Sequence, residues 1–144
     1  MIEPDTVKLL RECDAGIKMG TDAIDDVLDH VKNEKMKSEL NDCRRAHDEL
    51  KLDCKQLLHR FEDEGKAPNV LAEGMSKLKT NVKLMADPTD EAVADLMTDG
   101  CNMGIKSLSR YLNQYQAADE ESKDIAKRLV NLEEQLVHRM RAYL

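Results

Sequence analysis

The sequence predicts an all-α fold, a four-helix up-down bundle built from two pseudo-symmetric hairpins. Aromatic residues make up 3% of the chain and apolar residues 41%, with many Leu, Met and Ala, which is typical of cores in which helix packs on helix. Apolar residues recur in steps of three and four. The segment Cys13-Asp14-Ala15-Gly16-Ile17-Lys18 returns 88 residues later as Cys101-Asn102-Met103-Gly104-Ile105-Lys106. This repeat indicates one helical hairpin present twice.

The first helix is predicted at about residues 4–32. Pro4 suits the first turn of a helix, and a stripe of apolar residues follows it along one face. A turn is expected at Asn33, whose side chain can cap the next helix. The alternative is a single helix from residue 4 to residue 64, because the segment Lys32–Lys35 contains neither Gly nor Pro.

The second helix is predicted at about residues 35–64. From Met36 to Phe61, the residues on one stripe follow alternating steps of four and three. This spacing is typical of a helix that packs at a shallow angle on its neighbours. We expect the helix to stop at Gly65.

A shorter amphipathic helix is predicted at about residues 69–86, between the two hairpins. At about 1.5 Å per residue it is long enough to carry the chain back along the bundle as a crossover. Asp87 followed by Pro88 predicts the start of the third long helix, at about 88–116, because a capping side chain and a first-turn proline favour helix initiation.

The last helix is predicted at about residues 119–143, with Asp119 as its cap. The whole chain, residues 1–144, is therefore expected to form one domain of hairpin, crossover and hairpin.

Charge and hydropathy exclude several classes of partner. The formal net charge is −7 at pH 7, and the basic residues alternate with acids, which argues against binding to nucleic acid or to an anionic membrane. No apolar run approaches the roughly 20 residues of a membrane span. Glu3 and Asp5 stand where a signal peptide carries positive charge. We expect a cytoplasmic protein.

The helix lengths, the crossover, the repeated Cys and Gly segment and the Gly100-Cys101 step resemble the ferritin-like superfamily, in particular small bacterial members of unknown function. The resemblance covers nearly the whole chain. It implies a ferritin-like fold whose halves are related by an internal twofold. In metal-bearing members it would also imply a di-iron centre, held by Glu on two helices and by Glu-x-x-His on the other two.

The sequence departs from that metal-binding pattern, because it contains no Glu-x-x-His. The candidate positions read Arg44-Arg45-Ala46-His47, Gln56-Leu57-Leu58-His59 and Gln135-Leu136-Val137-His138. Bridging carboxylates offset the repulsion between two cations, and Arg and Gln cannot do so. His138 is expected to face solvent, since it lies about 200° around the helix from the inward Leu136. A conventional di-iron enzyme is not expected.

Four cysteines and one histidine are candidates for a soft-metal site: Cys13, Cys43, His47, Cys54 and Cys101. All lie on or beside inward stripes. Cys13 and Cys54 are expected to be neighbours, and Cys101 is expected at the level of Cys43 and His47. Thiolate and imidazole ligands suit zinc or copper. The other interpretation makes the cysteines small buried hydrophobes and His47 a hydrogen-bonded core residue, and it is favoured because no C-x-x-C pair is present. A disulfide is less expected than either.

Pairs of glycines four residues apart occur in the first and third helices: Gly16 and Gly20, Gly100 and Gly104. Gly in a helix costs about 1 kcal/mol relative to Ala, so a structural reason is expected. The favoured reason is close approach of the two matched helices; the alternatives are room for Tyr111 or Tyr115 and a ligand cavity. The acidic run Asp22, Asp25, Asp26 and Asp29 is expected to form a solvated face.

The favoured function is a non-catalytic interaction or structural module that self-associates through a long helix face and needs no cofactor. No catalytic triad, phosphate-binding loop or nucleophile elbow is visible. The alternatives are a metal-binding or thiol-redox protein that uses the cysteines and His47, and a divergent di-iron protein that retains iron.

Overall fold

The computed structural model describes residues 4–68, 83–84 and 86–144, and within them the chain is all-α without strands. The elements follow in this order: α1 Pro4–Leu28, α2 Glu34–Arg60, α3 Asp90–Gln114, α4 Glu120–Met140 and a 3₁₀ turn Arg141–Tyr143. They form a four-helix bundle, which confirms the predicted fold class at that level. The predicted crossover helix at 69–86 lies largely outside the described residues.

The first turn separates α1 from α2, so the alternative of one helix from residue 4 to 64 is wrong. α1 ends at Leu28 and α2 begins at Glu34. The Asn33 side chain accepts a hydrogen bond from the backbone N–H of Met36 at 3.0 Å, which confirms the predicted cap. α1 stops short of residue 32 because Asp90, from the second hairpin, accepts the backbone N–H groups of Lys32 and Asn33 at 2.8 and 3.0 Å.

α2 ends at Arg60, four residues before the predicted end. Glu62 takes a left-handed conformation with φ 55°, and the backbone N–H of Asp63 donates to the carbonyl of Leu58 at 3.0 Å. This hydrogen bond closes the helix as in a Schellman motif, here without glycine. Gly65, with φ 89°, lies in the loop that follows.

In the second hairpin, the start of α3 and the end of α4 differ from the prediction. Thr89 caps α3 by accepting the backbone N–H of Ala92 at 3.1 Å, so the helix starts at Asp90 and the predicted start at Asp87 and Pro88 is wrong. Asp119 caps α4 by accepting the backbone N–H of Ser122 at 2.8 Å, as predicted. The final three residues before Leu144 tighten into the 3₁₀ turn.

The core divides into two apolar clusters, one toward each end of the bundle. One cluster joins the C-terminal half of α1 and the N-terminal half of α2 to the N-terminal half of α3 and the end of α4. The other joins the start of α1 and the end of α2 to the end of α3 and the start of α4. α2 and α3 therefore run in the same direction, and α1 and α4 run opposite to them.

α1 and α4 form the close diagonal of the bundle. Among the described helices, each of these two packs on the other three, whereas no Cα atoms of α2 and α3 come within 8 Å of each other. Gly16 contributes to the close approach, because a Cβ at this position would lie 3.3 Å from the Leu129 side chain of α4. The bundle is thus flattened, with α2 and α3 at its wide corners.

Each hairpin closes the turn of the other. Asp5 and Thr6, in the first turn of α1, accept the backbone N–H groups of Ala117 and Asp119 at 3.2 and 2.9 Å. In the same way Asp90, in the first turn of α3, accepts hydrogen bonds from the backbone N–H groups of Lys32 and Asn33, in the turn between α1 and α2. The two hairpins are therefore tied together at both ends.

Candidate functional site: a buried polar centre

Two buried polar side chains lie on α2 and α4 between residues of the two apolar clusters, and two cysteines belong to the first of these clusters. We call Cys43, His47, Cys101 and Glu133 the polar centre; all four are buried. Cys43 and His47 are one turn apart on α2, Cys101 lies on α3 and Glu133 on α4. Buried polar groups are normally hydrogen bonded, so a group of them in the middle of a bundle is the strongest candidate for a site in this chain.

His47 is neutral and presents one free nitrogen. Its Nδ1 lies 2.8 Å from the carbonyl oxygen of Cys43 and 3.6 Å from the Cys43 Sγ. Because a carbonyl only accepts, Nδ1 carries the hydrogen and Nε2 carries the lone pair. Nε2 is buried without a partner among the described residues. Burial lowers the pKa of His47 below its usual value, so the ring stays uncharged at neutral pH.

Glu133 is a carboxyl group kept protonated by its surroundings. It is 8% exposed, and its Oε2 has no hydrogen-bond partner in the described part of the chain. Burial raises the pKa of Glu133 to about 8, because removing a carboxylate from water disfavours its charged form. At pH 7 the side chain is therefore mostly a neutral acid.

Glycines make room for these two polar groups. A Cβ at Gly20 on α1 would lie 2.6 Å from His47 Nε2, and a Cβ at Gly104 on α3 would lie 2.7 Å from the carboxyl carbon of Glu133. The favoured interpretation, close approach of α1 and α3 through all four glycines, is therefore wrong. Two of them accommodate a buried polar side chain from the second helix of the same hairpin, and Gly100 has open space where a side chain would be.

The thiols are all free, buried and protonated. Burial raises the pKa of Cys43 to about 11 and that of Cys54 to about 12, and it also raises the pKa of Cys13 and Cys101. The Glu133 carboxyl group also raises the pKa of Cys43 and Cys101, two thiols of the same buried cluster. Protonated thiols are poor nucleophiles and poor metal ligands until they lose the proton.

The five predicted metal ligands fall into two groups. Cys13 and Cys54 lie in one cluster, with Cys54 Sγ 3.6 Å from the carbonyl of Leu10, and Cys43, His47 and Cys101 lie together in the polar centre. Cys13 and Cys54 thus share one apolar cluster, and Cys43 and Cys101 share the other. No Cα atoms of α2 and α3 come within 8 Å, so Cys43 and Cys101 are too far apart for a disulfide, which needs less than about 7 Å.

In the described ranges, no group of three or more His, Cys, Asp and Glu side chains is placed to hold a metal ion. The polar centre also does not fit the di-iron centre that the ferritin-like resemblance implies. It offers one carboxylate, Glu133, where two cations would need bridging carboxylates. His138 is exposed, as expected.

Comparison with known proteins adds nothing to this picture. No family model, curated protein or solved structure matches the chain. None of the described helices is both long enough and apolar enough to cross a membrane.

A shallow groove runs between α2 and the start of α4. It has a volume of about 410 Å³, an apolar floor of Leu57 and Ile125, and walls that carry mostly carboxylates. Arg128 crosses the groove and binds Asp53 at 2.9 Å. The groove is open to solvent, and its charges are partly neutralised by this pair.

Sequence reasoning missed a second buried carboxylate, Asp14. The side chain is fully buried, and its Oδ2 accepts hydrogen bonds from Lys18 Nζ at 2.8 Å and from the backbone N–H of Lys66 at 3.0 Å. Lys55 Nζ lies 3.4 Å from Oδ1. Asp14 thus fastens the loop after α2 to α1. The sequence gave no sign of this, because two of the three partners, Lys55 and Lys66, lie on α2 and in the loop after it.

Sequence reasoning also missed Glu133, although its phase gave a signal. It follows the buried Leu129 by four residues and precedes the buried Leu136 by three, which places it on the inward stripe. The acidic run on α1 is largely solvated as expected, with Asp25 in an ion pair with Arg44 of α2 at 2.6 Å.

Proposed function

We propose that this protein is a ferritin-like bundle without a di-iron centre, and that it acts as a non-catalytic interaction or structural module. The ferritin-like arrangement is supported by the parallel α2 and α3, which a long connection must join. It is also supported by the reciprocal contacts in which the first helix of each hairpin closes the turn of the other. These contacts agree with two halves related by a twofold axis.

The observation that carries the proposal is the state of the four thiols. A redox function would depend on these thiols, yet each is buried and its pKa is raised. A thiol-redox protein needs a thiolate that a partner can reach. Buried, protonated cysteines instead pack as small apolar side chains, which favours a structural role for the core.

The outer faces of α2 and α3 are the proposed interaction surface. These helices occupy the wide corners of the bundle, and each has backbone Cα atoms within 8 Å of only two of the other described helices. They also carry the two large apolar side chains that are most exposed among the described residues, Met103 at 71% and Leu52 at 66%. Burying such side chains against a second copy would contribute about 25 cal/mol for each Å² of apolar surface removed from water.

Light scattering after size exclusion, over a range of protein concentrations, tests self-association. We expect a dimer or larger species that Leu52→Glu or Met103→Glu dissociates. Leu144→Glu is the matched control, because Leu144 is 57% exposed but lies outside the helices. A wild-type chain that stays monomeric at every concentration and captures no protein partner would overturn the proposal.

Elemental analysis after chelator-free anaerobic purification tests the alternatives. Stoichiometric iron would favour a divergent di-iron protein. One zinc or copper ion per chain, lost in His47→Ala or Cys101→Ser but kept in Cys13→Ser, would favour the soft-metal alternative.

A further inference from the structure

The second half of α3 differs in charge from the rest of the surface. From Gly100 to Ala118 the sequence contains no acid, although the chain has 29 Asp and Glu residues. Met103, Lys106 and Arg110 are exposed there, at spacings of three and four residues, so they lie along one outer stripe of the helix. Neither base forms an ion pair within the described part of the chain. We call these three residues the basic stripe.

The groove between α2 and the start of α4 has the opposite charge. Its charged lining residues are four carboxylates and one guanidinium: Asp53, Glu120, Glu121, Asp124 and Arg128. Two further bases pair with its walls, Arg60 with Glu121 at 2.9 Å and Lys123 with Glu120 at 3.7 Å. At least 47% of each carboxylate side chain is exposed. Because exposed ion pairs contribute only about 0–1 kcal/mol, these carboxylates can exchange to an incoming cation at little cost.

The basic stripe and the groove match in length and in charge spacing. At about 1.5 Å per residue, the stripe covers about 10 Å of helix axis, and the wall formed by residues 120–128 of α4 covers about 12 Å. Lys106 and Arg110 are one helical turn apart, and so are Glu120 and Asp124. Two cations on the stripe can therefore meet two carboxylates of the groove at the same time.

Each surface also has an exposed apolar side chain beside its charges. Met103 belongs to the basic stripe, and Leu52 lies one turn before Gln56, which lines the groove. The stripe cannot enter the groove of its own chain, because it faces solvent on α3 and no Cα atoms of α3 come within 8 Å of α2. The complement of the groove is therefore presented to other chains.

We propose that the groove binds the basic stripe of a second copy of this chain, with Met103 packed near Leu52 and with Lys106 and Arg110 paired to the carboxylates of the groove. This inference rests on the proposed self-association and names the two surfaces that meet. The apolar contact removes surface from water, and the complementary charges set the register and oppose other arrangements. Every chain carries both surfaces, so the contact needs no further partner.

Charge reversal tests this contact, with self-association measured by sedimentation velocity over a range of protein concentrations. The double variant Lys106→Glu, Arg110→Glu places acids opposite acids, so we expect its association constant to fall roughly tenfold or more. The double variant Glu120→Lys, Asp124→Lys places bases opposite bases and should weaken association in the same way. Circular dichroism checks that each variant keeps the helix content of the wild type.

A matched control and a mixing experiment separate the contact from a general effect of net charge. The double variant Lys8→Glu, Arg141→Glu changes the net charge as much as reversal of the stripe does, at exposed positions outside α2 and α3, and should associate like the wild type. Mixing the two weakened variants one to one should restore association, because the acidic stripe then meets a basic groove and the unchanged stripe meets the unchanged groove.

The outcomes distinguish this contact from the proposed function. Wild-type association that neither reversal weakens, or weakened variants that do not recover on mixing, would overturn the contact and leave the interaction module standing. A wild-type chain that stays monomeric overturns the contact, and the proposed function then depends on capture of another protein. If a variant does not fold, the salt dependence of the wild type decides: added NaCl should weaken association, and association that salt leaves unchanged contradicts the contact.

Discussion

Replacing Gly20 by Ala should destabilise the protein, although the same change elsewhere in a helix stabilises it. The added Cβ would lie 2.6 Å from Nε2 and 2.8 Å from Cδ2 of His47, so the ring has to move. The ring is held by the hydrogen bond from Nδ1 to the Cys43 carbonyl at 2.8 Å. Overpacking of this kind costs about 1–3 kcal/mol, and leaving the buried N–H without an acceptor costs about 1–3 kcal/mol more. The gain in helix propensity, about 1 kcal/mol, is smaller.

Gly100→Ala is the matched control for this prediction. A Cβ at Gly100 meets nothing within 4 Å, so only the helix propensity changes, and the protein should gain up to about 1 kcal/mol. Urea denaturation at pH 7 gives the free energy of unfolding for each variant. We expect Gly20→Ala to lie about 2–6 kcal/mol below Gly100→Ala, because the propensity gain is common to both variants and the costs of overpacking and of the lost hydrogen bond add.

A double-mutant cycle then isolates the contact between the glycine and the ring. In a His47→Ala background the obstacle is absent, so Gly20→Ala should change from destabilising to stabilising. If Gly20→Ala stabilises the wild-type protein as much as Gly100→Ala does, the recess at Gly20 has no energetic importance and the reasoning is refuted.

The remaining predictions concern the buried ionisable groups, measured as free energies of unfolding with EDTA present. Because the pKa of Glu133 is raised, its contribution to stability is complete below the unfolded pKa of 4.5 and is lost as the pH rises toward about 8. The free energy of unfolding of the wild type should therefore fall by roughly 2 kcal/mol between pH 6.5 and pH 8, and that of Glu133→Gln should not. Parallel pH profiles of the two proteins would contradict the assignment. His47 has a lowered pKa, so wild-type stability should fall as the pH drops below 6.5; His47→Gln should lack this component, and an unchanged acid profile would count against a neutral ring. Asp14→Ala should cost about 1–3 kcal/mol, because it strips acceptors from two lysines and a backbone N–H, whereas Asp53→Ala, which removes an exposed ion pair, should cost less than about 1 kcal/mol.

Most helices and caps of the bundle can be predicted from local sequence signals, whereas the residues of the polar centre are harder to predict. The caps Asn33 and Asp119 were predictable because a capping side chain bonds three residues away in its own chain segment. The end of α2 was not, because Glu62 takes a left-handed conformation that sequence assigns to glycine. Thr89 was overlooked because Asp87 and Pro88 gave a stronger local signal.

The polar centre shows why residue types mislead when they are read alone. The cysteines and His47 were recognised from their inward phase. Glu133 has the same phase, but its residue type does not predict an inward position, because carboxylates are seldom buried without a partner. Its burial is possible because Gly104 has no side chain, which leaves space for the carboxyl group. The structural reason for a helical glycine lies in the side chain that faces it from another helix, and the sequence of the glycine's own helix does not show which side chain that is.

Each hairpin supplies hydrogen-bond acceptors to the turn of the other, and this affects the order in which the protein folds. An isolated αα-hairpin normally completes its own turn, so the turn can form early. Here the backbone N–H groups of Lys32 and Asp119 find their acceptors only on the opposite hairpin, at Asp90 and Thr6. Each turn therefore matures after the halves have met, because the contacts that close the two turns join residues 58 and 113 positions apart in the sequence. Assembly of the two halves precedes completion of either one.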